Sequence, residues 1–177
     1  MEIEVFRLSH RLPRDERIST HVALVARAFG ASSMAYSGQQ DEGLKKSVEL
    51  LAGRWGGSFT VEYMPEYKKY IKGKKDDGFT IVHLSMYGLP IPKVSKKIMK
   101  HDKLLIIVGS EHVPPDIYHL ADYNVSVTNQ PHSEVAALAI ILDRLMEGKE
   151  LTREFDKKFK GKIRIEPSEK GKEILEA

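Results

Sequence analysis

Val125-Ser126-Val127-Thr128-Asn129-Gln130-Pro131-His132-Ser133-Glu134-Val135-Ala136-Ala137-Leu138-Ala139-Ile140-Ile141-Leu142 decides the fold. It reads as a strand over residues 124–127, a polar loop, and a helix over 133–146 with Ser133 as N-cap and Gly148 as stop. That helix is apolar nearly all round, so it must be buried on more than one side, deep in the fold or in a subunit interface. The loop before it carries two amides, a proline and a histidine. An ordinary capped helix start needs less polar equipment than this, and a binding loop is the alternative.

Upstream of this segment, short apolar runs alternate with amphipathic stretches. Strands are expected at residues 3–8, 33–36, 59–63, 79–85 and 103–108. The helix over 17–29 places Ile18, Val22, Val25 and Phe29 on one face and stops at Gly30. A second, over 41–52, carries Leu44, Val48 and Leu51 and stops at Gly53. Strand and helix in alternation predict an α/β domain over residues 1–150, with a mainly parallel sheet and helices on both faces. Residues 151–177 are mostly charged and read as an extension laid over the domain, with Phe155, Phe159, Ile163 and Ile165 as apolar anchors.

The composition excludes several classes. A length of 177 residues suits one domain, and the absence of cysteine removes disulfide frameworks, thiolate metal sites and cysteine nucleophiles. No apolar run is long enough for a membrane span and no apolar signal core follows Met1, so a cytoplasmic protein is expected. Asn and Gln are scarce and Lys and Glu abundant, which leans toward a heat-adapted source. A net charge of +3 permits nucleic-acid binding without demanding it.

Three loops at strand ends are where an open α/β sheet builds its site. The first, residues 84–92, contains Gly88-Leu89-Pro90-Ile91-Pro92, read as a rigid non-helical connection. The second, Gly109-Ser110-Glu111-His112-Val113-Pro114-Pro115, lets a ligand approach the backbone at Gly109. It lacks the spacing of a phosphate loop or a dinucleotide fingerprint. The third is the polar loop quoted at the start. Arg11, Arg14 and Arg17 with His21 form a basic stripe near the N-terminus, suited to phosphate or simply solvated. The histidines show no paired-ligand spacing, so no metal is expected. Lys68-Lys69, Lys72 and Lys74-Lys75 interleave with Tyr67 and Tyr70, a mixture of charge and stacking surface that RNA binders use; Lys93, Lys96-Lys97, Lys100 and Lys103 form a second run.

Together these motifs resemble the SPOUT class of RNA methyltransferases: residues 14–31 look like its first motif, Val108-Gly109-Ser110-Glu111 its second, and residues 125–142 its third. Within that class, residues 14–31 together with Thr128-Asn129-Gln130-Pro131-His132-Ser133-Glu134 are most similar to the archaeal tRNA (cytidine-56) 2′-O-methyltransferases, over essentially the whole chain. The resemblance implies a deep C-terminal trefoil knot, an exception to the rule against threaded chains. It also implies a homodimer, S-adenosylmethionine as methyl donor without metal, and tRNA as partner, with the T-loop cytidine as target. The cofactor pocket it implies is formed by Leu84, by Gly109, Ser110, Glu111, His112 and Val113, and by Val127, Thr128, Asn129, Gln130, Pro131, His132, Ser133 and Glu134.

The resemblance also implies an N-terminal arginine beside the acceptor ribose. The register used by bacterial relatives falls on Leu24, so the role passes to Arg17, with Arg14 in reserve and His21 as proton acceptor. The asparagine that follows the third-motif serine in those relatives is replaced by Glu134. Methylation of another RNA, or a catalytically silent RNA-binding module, are the alternatives that residues alone leave open.

Overall fold

The computed structural model describes residues 1–109, 113–152 and 160–176. Its first strand explains the rest of the sheet. In β1 (Glu2–His10) Ile3 and Val5 point to one face, Phe6 and Leu8 to the other, and all four are buried, so the strand needs a layer on each side. Around it β2 (Ser33–Gly38), β3 (Thr60–Tyr63), β4 (Thr80–Pro90), β5 (Lys103–Val108) and β6 (Tyr123–Ser126) complete a six-stranded parallel sheet in the order β3-β2-β1-β5-β4-β6.

On one face lie α1 (Glu16–Ala28), α2 (Glu42–Trp55), α4 (Ile91–Ile98) and α6 (Glu134–Met146), which share a core with Val5, Val82 and Ile106. On the other, α3 (Tyr67–Asp76) and the single turn α5 (Ile117–Leu120) supply Ile71 and Ile117 against Phe6, Ile81 and Ile107. The α/β architecture with helices on both faces is the one expected. Helix α6 buries Leu138, Ile141, Leu142 and Leu145. At about 2 kcal/mol for each fully buried aliphatic side chain, this stripe fixes the helix on the sheet.

Local chemistry sets the ends. Ser133 Oγ accepts from the Val135 N–H as the expected N-cap of α6, and Asp41 does the same for Leu44 at α2. Helix α2 runs past Gly53 to Trp55 and turns at Gly56, whose φ of 78° suits glycine; the stop expected at Gly53 is a helix-interior residue.

The run Gly88–Pro92 differs from expectation in kind. Leu89 and Pro90 belong to β4, and Ile91-Pro92 open α4, where proline lacks only an N–H that the first turn leaves unpaired anyway. Between Leu84 and Leu89 the strand bulges, and Val125 of β6 pairs with both. A Cβ on Gly88 would lie 2.4 Å from the Val125 nitrogen, so only glycine lets the two backbones pass. This doubled contact is in keeping with the knot that the motifs imply.

A separate hairpin, β7 (Ile163–Glu166) and β8 (Glu173–Glu176), meets the body at the end of α2, where Lys162 N–H donates to the Arg54 carbonyl. Ile163 is half-buried there, whereas Ile165 is exposed and anchors nothing. Phe155 and Phe159 lie outside the described residues.

Candidate methyl-transfer site

A cleft of about 550 Å³ opens at the carboxyl ends of β1, β4, β5 and β6, between the starts of α1 and α6. Leu84, Val108, Val125, Val127 and Ala137 give it an apolar slot; Arg7, Arg11, Arg14, Asp15 and Glu134 give it a charged side. Gly109 sits between, and a Cβ there would come within 2.2 Å of Val113 Cγ2, so the glycine keeps the wall thin.

Of the expected pocket residues, Leu84, Gly109, Val113, Val127, Pro131, His132, Ser133 and Glu134 line this cleft. Thr128, Asn129 and Gln130 belong to the same loop but stand off its wall. Two of them hold the loop: Asn129 Nδ2 donates to the Met86 carbonyl at 2.6 Å, and His132 Nδ1 lies 2.6 Å from the Gln130 carbonyl. Ser110, Glu111 and His112 lie outside the described residues.

Of the expected catalytic residues, Arg14 lines the cleft, whereas Arg17 and His21 do not. The helix explains the split. Ile18 faces the cleft and Ser19, Val22, Ala23 and Ala26 the core, which turns positions 17 and 21, four apart, to solvent.

The residue that sequence reading missed is Arg7. It follows Ile3 and Val5 on the same face of β1, and its side chain is 1% exposed. Its Nε and Nη2 donate to Glu134 Oε1 at 3.2 and 2.9 Å, and Nη2 lies 3.6 Å from Asp15 Oδ2. Asp15 in turn accepts from the Arg11 backbone N–H and Nε. Burial works to raise the Asp15 carboxyl, but the Arg11 hydrogen bonds and the Arg7 charge outweigh it and hold it below the usual range. The signal available in the sequence was a charge at an inward position near the end of an apolar strand.

Behind this chain of charges, His10 is fully buried. Its Nδ1 lies 2.7 Å from Ser19 Oγ and its Nε2 3.2 Å from Asp41 Oδ2, which ties α1 and α2 to the end of β1. Burial and the Arg7 charge push its pKa down, so the ring is neutral at neutral pH. On the opposite wall Tyr118 Oη meets Ser85 Oγ at 2.9 Å, and behind it the buried His83 bonds Asn124 Oδ1 at 2.8 Å. Among the described residues no group of three His, Asp or Glu side chains is placed to hold a metal ion.

The cleft suits S-adenosylmethionine, an amphipathic molecule with a flat purine and a charged amino-acid end. The slot offers apolar walls and backbone groups for the former, and the charged side of the cleft lies beside it for the latter.

The lysine-rich helix α3 departs from its reading as a stacking surface. Tyr70 is half-buried with its ring 4.8 Å from that of Phe6 and its hydroxyl on Glu4, and the Tyr67 hydroxyl donates to Asp116. Both rings are packed, not offered to a base.

Residues 55–175 match the family described as tRNA ribose 2′-O-methyltransferase, aTrm56. The tRNA (cytidine(56)-2′-O)-methyltransferase of Methanopyrus kandleri is 51% identical over 98% of both chains. That of Thermococcus kodakarensis is 50% identical over 98% of this chain and 97% of its own. Among solved structures, the TrmH/SpoU tRNA modifying enzyme of A. aeolicus superposes with a TM-score of 0.61 at 18% identity, covering 85% of this chain and 77% of that one. The SpoU methyltransferase AviRb from Streptomyces viridochromogenes, in complex with AdoMet, gives 0.57 at 18%, over 83% and 57%. By identity along nearly its whole length, by the matched family region and by the parallel sheet it shares with the SpoU fold, the chain belongs to the archaeal tRNA (cytidine-56) 2′-O-methyltransferase family.

Proposed function

We propose that this chain transfers a methyl group from S-adenosylmethionine to the ribose 2′-hydroxyl of cytidine 56 in tRNA, as its relatives are named for doing. The observation that carries the reading is the single cleft wall in which an apolar slot meets a buried arginine–carboxylate pair, built from the same loops that carry the family's motifs.

When bound, the cofactor supplies a methyl group on a cationic sulfur, already activated toward attack. The chain's own residues must then hold and orient the acceptor. Val127, Ala137 and Leu84 would hold the cofactor's apolar part, and the Asn129 bond to Met86 keeps two of the walls together. Arg14 at the mouth is the anchor for the acceptor's phosphate, because an arginine fork suits phosphate and keeps its own proton. Alignment of this kind supplies a large part of a group-transfer barrier. Arg17 and His21, on the outward stripe of α1, act in this reading only across a homodimer contact. The exposed Ile140 beside Ala136 and Ala139 on α6 is the apolar face that such a contact would cover.

The tRNA is assigned to the α4 side of the cleft. Lys93, Lys96, Lys97 and Lys100 recur at helical spacing opposite the buried Ile91, Val94 and Ile98, and the exposed Tyr87 just upstream lines the cleft mouth. Among the described residues, no helix is long and apolar enough to cross a membrane, and the cytoplasm, where tRNA resides, is the proposed compartment.

Labelled cofactor incubated with tRNA transcript tests the reading. Label in the RNA, mapped by mass to a methylated cytidine ribose, is expected. Absence of cofactor binding at millimolar concentration contradicts it, and binding without transfer identifies a silent module instead.

A further inference from the structure

We propose that Glu134 is the group that takes the proton from the ribose 2′-hydroxyl, and that Arg7 positions it; this rests on the methyl-transfer reading above. A ribose hydroxyl is a weak nucleophile, so an acceptor for its proton must sit at the cleft in the ionised form. The lining residues leave few choices. Arg7, Arg11 and Arg14 keep their protons. Asp15 is committed to Arg11 and is held low, which makes it a poor base. His132 is exposed and bonded to its own loop at Gln130, Tyr118 is bonded to Ser85, and His10 is buried behind the cleft between Ser19 and Asp41.

Glu134 differs from all of these in three respects. It opens α6, directly after the Ser133 cap, where the helix dipole favours a carboxylate. Both Arg7 bonds fall on its Oε1, and Oε2 takes no hydrogen bond among the described residues, while the residue itself lines the cleft. Finally, its side chain is only 15% exposed, so it is oriented and largely shielded from bulk water.

The environment also tunes the carboxyl. Burial pushes its pKa up, the Arg7 charge and hydrogen bond pull it back, Asp15 pushes up and Arg11 pulls down, with the net result above the usual glutamate range. The charged groups that act on it are Arg7 from β1 and Asp15 and Arg11 from the turn before α1, and Arg14, Tyr118, Tyr87 and His132 are the other titratable groups that line the same cleft. A base stronger than an ordinary carboxylate is what proton abstraction favours.

The step balances simply. The 2′-hydroxyl proton passes to Glu134 Oε2, the oxygen's electron pair forms the bond to the methyl carbon, and the carbon–sulfur bond breaks with its pair left on sulfur as a neutral thioether. Glu134 then releases its proton to solvent. Arg7 keeps the carboxyl in place throughout, and its buried Nη1, which has no partner among the described residues, remains as a donor for an oxygen of the bound substrate.

The test combines an activity-independent readout with a variant series. In the protein alone, the Glu134 carboxyl carbon, followed by NMR in ¹³C-glutamate-labelled protein, titrates above the ordinary value of about 4.3; in Arg7→Gln it moves higher still. A value below the ordinary range overturns the proposal whatever the activity. With tRNA, Glu134→Gln lowers kcat about 100-fold or more and removes the acid limb of the rate profile, Glu134→Asp keeps that limb, and affinity for S-adenosylhomocysteine stays within about 3-fold. Retention of more than a third of kcat in Glu134→Gln, or persistence of the acid limb, overturns the assignment. An equal loss of cofactor affinity and turnover overturns it too, because Glu134 is then a cofactor anchor. Failure of the wild-type protein to methylate tRNA contradicts the methyl-transfer reading instead.

Discussion

Two lysine-rich helices, α3 and α4, look alike in sequence and differ in what surrounds them. On α3, Lys68 pairs with Asp116 at 2.8 Å, Lys69 with Glu66 at 3.7 Å, Lys74 with Glu4 at 2.5 Å and Lys75 with Asp122 at 2.8 Å. Lys74 also lies 4.7 Å above the Phe79 ring. Lys93, Lys96 and Lys97 on α4 and Lys100 just past its end are all exposed, and their side chains make no ion pair or hydrogen bond among the described residues. The first helix spends most of its charge on pairs within the fold, with Lys72 alone of its five lysines exposed and unpaired among the described residues. The second leaves its charge without counter-charges among the described residues, as the proposed tRNA contact needs. A count of lysines does not separate a structural helix from a binding one; the placement of counter-charges does.

The contrast is broken or sharpened by substitution. The largest effect is expected from replacing Lys93, Lys96 and Lys97 of α4 and the adjoining Lys100 with alanine. tRNA affinity then falls about 10- to 100-fold at physiological salt, and the slope of log K against log salt shrinks by roughly 3, while binding of S-adenosylhomocysteine is unchanged. The same change at Lys68, Lys69 and Lys75 of α3 moves tRNA affinity by no more than about 3-fold. A reversal of these two results, measured by filter binding across a salt series, would mean that α3 faces the RNA.

Next in size is Lys74→Met. It leaves the Glu4 carboxylate, whose side chain is 11% exposed, with the Tyr70 hydroxyl but no counter-charge, and costs roughly 2 to 3 kcal/mol in a denaturant titration, less than a fully broken buried pair. No single α4 lysine-to-methionine change costs more than about 0.5 kcal/mol, since surface positions without partners contribute little.

These two helices also mark where sequence reading succeeds and fails. The strands were legible because parallel strands covered on both faces are near-continuous apolar runs, as at residues 104–108, and α6 was legible from its cap and its apolar length. The partners of the α3 lysines were not, because Asp122 lies 47 residues from Lys75 and only the fold brings them together. Arg7 escaped for a related reason: its meaning depends on Glu134, 127 residues away, and an isolated charge at a strand end reads as solvent-facing until that partner is seen. The pocket loops were found because glycine, proline and amides at strand ends signal their role locally. The arginine stripe on α1 misled because spacing shows which residues share a face without showing where that face points.

A smaller effect is expected from acid. The Lys68 hydrogen bond holds the Asp116 carboxyl below its usual range despite burial acting the other way. A depressed carboxyl contributes stability that is present above its unfolded value, about 3.9, and is lost as pH falls through the lower folded value. Asp116→Asn therefore makes the melting temperature fall less steeply below about pH 4, as scanning calorimetry would record; α4, without carboxylate partners, offers no comparable substitution. The smallest effect is the gain of function from the same change. With Lys68 released, tRNA affinity rises by less than about 2-fold, because no residue of α3 lines the cleft.

The central claim is transfer to one ribose oxygen. It is tested most directly with two tRNAs that differ only in carrying cytidine or 2′-deoxycytidine at position 56, the position for which the relatives are named. The account predicts one methyl group per cytidine tRNA, recovered by mass mapping as 2′-O-methylcytidine, and none on the deoxy form. Equal labelling of both tRNAs would contradict it.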